Sequence, residues 1–117
     1  MTAVRVALRA DAGPVLGSGH VMRGLTLAAA LRARGAAVRF ICGDGPGHLG
    51  DRIAAAGFGV DLIAAGLPEA ADAQATQAAL QRTGGCNLLL VDHYGLGIAW
   101  ETRLRPLARC IAAIDDL

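Results

Sequence analysis

The chain reads as a doubly wound α/β domain with a mostly parallel sheet, and three observations carry that expectation. Apolar, strand-like runs recur at 3–8, 37–42, 59–63, 87–92 and 110–114. Helical patterns separate them at about 20–34, 47–57, 69–83 and 97–108, and strands that alternate with helices imply right-handed crossovers and a sheet covered on both faces. The continuous run Leu88-Leu89-Leu90-Val91 fits a strand buried on both sides.

Each element has its own signal. Val4, Val6 and Leu8 alternate in the first strand. The first helix keeps Leu25, Ala28, Ala29 and Leu31 on one face, and Gly35 follows as a stop. Gly57 and Gly84-Gly85 play that part for the second and third helices. Pro68 sits where a first-turn proline is tolerated. Pro106 falls inside the fourth helical pattern and is expected to kink or end it.

Composition narrows the class. At 117 residues the chain holds one core. The 54% apolar content and mean hydropathy of +0.44 come mostly from alanine, and no apolar run approaches the ~20 residues that cross a bilayer. Met1-Thr2-Ala3-Val4-Arg5-Val6 leads directly into a strand without the layout of a signal peptide, so a cytoplasmic location is expected. All the basic residues are arginine, which reads with the alanine excess as a base-composition habit of the source genome. The net charge of +1, with signs interspersed along the chain, gives no reason to expect nucleic acid or a polybasic membrane patch. Cys42, Cys86 and Cys110 are odd in number and widely spaced, and each abuts a strand; they read as buried free thiols, since a zinc site wants closer pairs.

The richest stretch runs from Arg9-Ala10-Asp11 through Gly17-Ser18-Gly19 to His20-Val21-Met22-Arg23. It joins the first strand to the first helix through a glycine-rich bend. The amides of a helix N-terminus are unpaired and carry partial positive charge, so the place suits a phosphate or carboxylate. A histidine beside such a site is what acid–base chemistry near neutral pH needs. In open sheets, ligands bind beyond the carboxyl ends of the strands. Asp11 and His20, Gly43-Asp44-Gly45, Asp92-His93-Tyr94 and Asp115-Asp116 all follow strands at that edge.

These residues also carry a resemblance. Arg9-Ala10-Asp11, Gly17-Ser18-Gly19-His20-Val21-Met22-Arg23 and Leu25-Thr26-Leu27-Ala28 resemble the opening of the pseudaminic-acid-pathway UDP-sugar hydrolases, the UDP-2,4-diacetamido-2,4,6-trideoxy-β-L-altropyranose hydrolases. Val91-Asp92-His93-Tyr94-Gly95-Leu96 followed by Trp100-Glu101, and Ile114-Asp115-Asp116-Leu117, resemble that family's second and third blocks. Spore-coat polysaccharide proteins share much of the pattern. Gly13 and Gly24 depart from it, where a serine and a small thiol or hydroxyl residue are expected. The resemblance implies a Rossmann-like amino-terminal half, residues 1–117, of a two-domain GT-B enzyme, with the nucleotide held mainly by a carboxyl-terminal domain beyond this chain.

The resemblance makes His20 the catalytic base that takes a proton from the water attacking the anomeric carbon of a UDP-sugar. Position agrees, because a histidine at a helix start after a glycine loop can face a cleft; the bland account is a histidine capping its own helix. Asp11, Gly17, Ser18, Gly19 and Tyr94 are expected to bind substrate, with Arg9 and Asp92 in support. Asp11 reads equally as an orienter of His20, a sugar-hydroxyl ligand or a brace for the glycine loop; Tyr94 alone reads equally as half-buried packing. Asp92 is expected to brace loops, His93 to be solvent-exposed, His48 to cap the second helix, and Trp100 and Glu101 to serve packing and a solvated face. No cofactor or metal is expected, since the acids lie at separate strand ends and the hydrolases resembled need none. The other functional readings are the acceptor-binding half of a glycosyltransferase, a dinucleotide-binding module (weakened by the missing third glycine) and a folded assembly partner.

Overall fold

The structure, a computed structural model, describes residues 3–114. Its strands are β1 (Arg5–Ala10), β2 (Ala37–Gly43), β3 (Gly59–Ile63), β4 (Cys86–Asp92) and β5 (Ala108–Ala113). Between them run α1 (Gly19–Ala33), α2 (Gly50–Ala55), α3 (Glu69–Arg82) and α4 (Ile98–Leu104). All strand pairs are parallel, in the order β3-β2-β1-β4-β5. This is a Rossmann-like, doubly wound α/β fold with β1 central.

Two apolar layers sandwich the sheet. Val6, Leu8, Val38, Phe40 and Leu90 pack against Val21 and Ala28 of α1 and Ile53 of α2. On the other face Ala7, Ile41, Leu89 and Val91 pack against Ala73, Ala79 and Leu80 of α3 and Trp100 and Leu104 of α4. Gly24 lies buried in α1, and a Cβ there would meet Phe40 Cε2 at 3.2 Å and Leu8 Cδ2 at 3.5 Å. Its bare backbone therefore lets α1 settle close to the sheet, which accounts for glycine where the resemblance expects a larger residue.

Three helices end in the same device. The amide of Ala36 bonds to the Leu31 carbonyl and that of Gly35 to Arg32; Phe58 and Gly57 repeat this on Ile53 and Ala54, and Gly85 and Gly84 on Leu80 and Gln81. These are Schellman motifs, which need a left-handed residue just past the helix, and Gly35, Gly57 and Gly84 sit there with φ of 93°, 91° and 79°.

Element bounds differ from the sequence reading at several places. α2 begins at Gly50 instead of 47, because Gly47 has φ of 78° and belongs to the preceding turn. α4 stops at Leu104, and Pro106 lies in a 3-10 turn (Arg105–Leu107) that leads into β5 at Ala108. Cys42 and Cys86 are buried free thiols, burial pushing Cys42 up to about 12, whereas Cys110 is exposed on β5, contrary to expectation. Asp115 and Asp116, with most of the third resemblance block, lie outside the described residues. Among the described residues no helix is long and apolar enough to cross a membrane.

Leu8 is fully buried between β1 and α1. Leu8→Ala is expected to lower stability by about 3 kcal/mol, read as a lower urea midpoint with an unchanged slope.

Candidate active site

The strand order reverses between β1 and β4: the chain leaves β1 toward α1 on one face of the sheet and leaves β4 toward α4 on the other. The loops that follow the two strands diverge at their carboxyl ends, the place where open α/β sheets hold a crevice. Ala10 at the end of β1 stands beside Asp92 at the end of β4 in the sheet register. The residues that follow these strands build the site.

His20 is the second residue of α1, and its Nδ1 lies 2.5 Å from Asp92 Oδ1. The Arg23 guanidinium, one turn along α1, donates to both oxygens of the same carboxylate at 2.7 Å. Burial works to push the Asp92 carboxyl up, but the bonds and charges of Arg23 and His20 outweigh it and hold the group below the usual carboxylate range. An ionised carboxylate at Nδ1 fixes the neutral imidazole with its proton on Nδ1 and its lone pair on Nε2. Nε2 makes no hydrogen bond, and no buried side-chain nitrogen or oxygen among the described residues lacks a partner, so Nε2 reaches the surface. The Tyr94 ring stands edge-on to the imidazole, centroids 4.8 Å apart. The arrangement can accept a proton at Nε2 and hold the resulting cation against Asp92.

The loop between β1 and α1 is pinned in shape. Gly13 and Gly17 exchange backbone hydrogen bonds of 3.2 and 2.7 Å, so residues 14–16 form a small projecting hairpin. A Cβ on Gly13 would meet the Pro46 carbonyl oxygen at 3.3 Å; the close approach of the 46–47 turn accounts for glycine in place of the expected serine. Ser18 is the N-cap of α1, yet its side chain makes no capping bond, and the first turn holds no acid. The leading amides of α1 therefore lack a side-chain acceptor of their own.

Beneath the crevice lies a buried ionic network. The Arg9 side chain, 1% exposed, reaches Asp11 with both terminal nitrogens and Asp72 of α3 through Nε and one of them. Asp72 also accepts from Thr76 Oγ1 at 3.1 Å and Trp100 Nε1 at 2.9 Å. Asp11 takes the Gly43 amide at 2.7 Å and meets His93 Nε2 at 2.8 Å. Burial works to raise the Asp11 carboxyl, but His93, Arg9 and the Gly43 amide together hold it well below the usual range. His93 Nδ1 accepts the Gly95 amide at 2.9 Å, so both its ring nitrogens are engaged and Tyr94 rides on a fixed turn.

Several expected roles change. His20 is largely buried, 7% exposed, instead of standing free in solvent as a helix-start residue: Asp92 draws the Nδ1 side of the ring inward and leaves only its Nε2 side to reach the surface. It does not cap α1. Asp92, read as a loop brace, bonds His20, and Asp11, read equally as an orienter of His20, a sugar-hydroxyl ligand or a brace for the glycine loop, makes no bond to His20 and ties β1, β2 and the turn after β4 together. His93, read as solvent-exposed, is half-buried and part of that bolt. Tyr94 is 69% exposed and touches His20. Gly17, Ser18 and Gly19 lie between the small hairpin and the first turn of α1, at the carboxyl edge of the sheet. His48 accepts the Gly50 amide at the start of α2, and Trp100 is fully buried, both as expected. Arg23 and Asp72 were not foreseen. Arg23 stands three residues after His20, hence on its face of α1, and Asp72 occupies the buried face of α3 with Thr76, Ala79 and Leu80. Among the described residues no group of three or more His, Cys, Asp and Glu is placed to hold a metal ion.

Neither a scan against protein-family models nor a search of curated proteins finds a match to this chain. The class that geometry defines is a Rossmann-like α/β domain with an oriented histidine–carboxylate pair at its switch point.

Two outcomes follow for the network. Arg9→Met strands Asp72 and Asp11 without their shared cation, and is expected to cost about 3–5 kcal/mol in urea unfolding. Asp11 and Asp92 bind protons less readily folded than unfolded, so the stability they add is complete above the ordinary carboxylate pKa of ~4 and is lost as pH falls through their depressed folded values. Melting temperature should fall on acidification, and Asp11→Asn should flatten that acid limb while lowering stability at neutral pH.

Proposed function

We propose that this domain supplies the water-activating half of a nucleotide-sugar hydrolase acting on a UDP-2,4-diacetamido-trideoxyhexose, as the amino-terminal half of a GT-B-type enzyme. The observation that carries the reading is the His20–Asp92 pair, with Nε2 open at the switch point beside Tyr94. In the proposed reaction Nε2 takes a proton from water as the water oxygen bonds to the anomeric carbon. The bond from that carbon to the UDP oxygen breaks, and UDP departs with the electron pair. UDP is a good leaving group, so the base matters more than an acid. Asp92 keeps the imidazole in the accepting tautomer and stabilises the imidazolium as it forms, and Arg23 keeps Asp92 ionised.

Two further features support the reading. The amides leading α1 suit an anion such as a diphosphate. Large apolar side chains stand exposed in the segments that follow β1 and β4: Val15 at 102% and Tyr94 at 69% on the two loops, and Ile98 at 81% at the start of α4. Such exposure fits a cleft whose other wall belongs to a second domain.

His20→Asn is the informative variant. Asparagine keeps a donor near the position of Nδ1 for Asp92 but removes Nε2, whereas His20→Ala would also leave a hole beside a buried carboxylate. In the polypeptide that joins this domain to its nucleotide-binding partner, His20→Asn is expected to cut UDP release by about 10²–10⁴-fold with UDP affinity unchanged. Wild-type turnover in that variant removes His20 from the base role. UDP release that depends on an added sugar acceptor reassigns the domain to the acceptor half of a glycosyltransferase, with His20 deprotonating a hydroxyl. The 117-residue chain alone is expected to release no UDP and to bind it weakly; low-micromolar binding by calorimetry overturns the division of labour.

A further inference from the structure

The opposite edge of the sheet carries a feature that the proposed reaction does not use. At the amino ends of β4 and β5 a groove of about 340 Å³ is lined by Arg5, Asn87, Arg105 and Arg109, with Gly84-Gly85 and Pro106-Leu107 as backbone walls. No acidic residue lines it. The Arg5 guanidinium donates to the carbonyls of Thr83 and Gly84, where it meets the negative end of α3. The Arg5 amide bonds to Asn87 Oδ1 at 2.8 Å, which leaves Asn87 Nδ2 as an unused donor. The guanidinium groups of Arg105 and Arg109 make no hydrogen bond or ion pair at all among the described residues. Elsewhere Arg9, Arg23 and Arg39 hold aspartates, while among the described residues Arg34, Arg52 and Arg82 make no side-chain hydrogen bond or ion pair, so what sets Arg105 and Arg109 apart is the concavity they line together. Basic and acidic residues are interspersed along the chain, yet three arginines and an asparagine line this one concavity without an acid.

We propose that this groove binds a phosphate group, either the phosphate ester of a small molecule or the phosphate of a lipid headgroup. Planar guanidinium groups match phosphate oxygens two at a time, and charge-assisted bonds of this kind are among the stronger polar contacts. Arg105 sits in the 3-10 turn and Arg109 at the start of β5, so the fixed ring of Pro106 holds the turn between them. The groove is wide enough for a diphosphate or a phosphate ester with a small organic group. It is separate from the crevice, because β4 contributes Cys86 and Asn87 to the groove and Asp92 to the histidine pair, a strand length of about 20 Å apart. A ligand here is not the species that meets His20.

The test uses the 117-residue chain, inorganic pyrophosphate as probe and amide chemical shifts as readout. Saturable shifts are expected at Gly84, Gly85 and Asn87, weakened at least about tenfold in Arg105→Gln/Arg109→Gln and unchanged in Arg34→Gln, a surface arginine outside the groove. Both changes are at exposed positions, and circular dichroism checks that the fold persists. A second arm measures co-sedimentation with phosphatidylglycerol vesicles against phosphatidylcholine vesicles. Pyrophosphate binding lost in the double variant assigns a free phosphate ligand. Vesicle binding lost in the double variant, without pyrophosphate binding, assigns the headgroup. Absence of both, or equal loss in Arg34→Gln, overturns the proposal.

Discussion

One buried guanidinium holds the functional edge of this domain together. Arg9 lies near the end of the central strand, where every neighbouring element converges. Its fork reaches Asp72 on α3 on one side and Asp11 past the strand end on the other. Through Asp72 it engages Trp100 of α4; through Asp11 it engages the end of β2 and the turn after β4. A buried cation of this kind stabilises only when its partners are in place, since a lone charge in the interior is costly. The network therefore ties correct docking of α3 and α4 to correct placement of the loops around the crevice. A misdocked helix leaves a charge without its partner.

The two aspartates at the carboxyl edge divide their labour for a geometric reason. Asp92 ends β4 and points to the α1 side of the sheet, where His20 and Arg23 lie on one helix face. Arg9 stands on the opposite face, as alternation along a strand requires of neighbours in register one residue apart. Asp11 lies beyond the last paired residue and folds back over Arg9. A single-residue slip in the β1–β4 register would exchange these environments, so the parallel register is as much a part of the site as any side chain.

Much of the fold was legible because its signals are local and repeated. Alternating strand and helix patterns, the glycines past α1, α2 and α3, and the awkward Pro106 each report on a few adjacent residues, and each matched an element or its end. Right-handed crossovers are compatible with more than one strand order, so local patterns left the order β3-β2-β1-β4-β5 open. Gly17-Ser18-Gly19-His20 and Asp92-His93-Tyr94 were also visible as polar groups delivered to one edge. What local patterns do not report is which carboxylate meets which histidine. Asp11 is nine residues from His20 and Asp92 is seventy-two, yet the sheet register brings the distant one into contact. The burial of His20 escaped for the same reason, because a helix-start position looks exposed until a strand end arrives beside it. Asp72 broke the apolar face of α3, a signal that points inward only if a buried cation is already suspected.

The placement of the thiols gives the chain a built-in clock for its own opening. Cys110 stands exposed on β5, while Cys42 lies in the layer under α1 and α2 and Cys86 in the layer under α3 and α4. An alkylating reagent meets the first in the folded molecule, whereas Cys42 and Cys86, 2% and 7% exposed, are consumed mainly when a layer parts. Burial also keeps both inner thiols protonated, so they do not react through slow leakage of the anion while the fold is closed. The rates at which the second and third sulfurs are consumed thus time the separate loosening of the two faces of the sheet. Equal rates would mark a single cooperative unit, and unequal rates would show which layer lets go first.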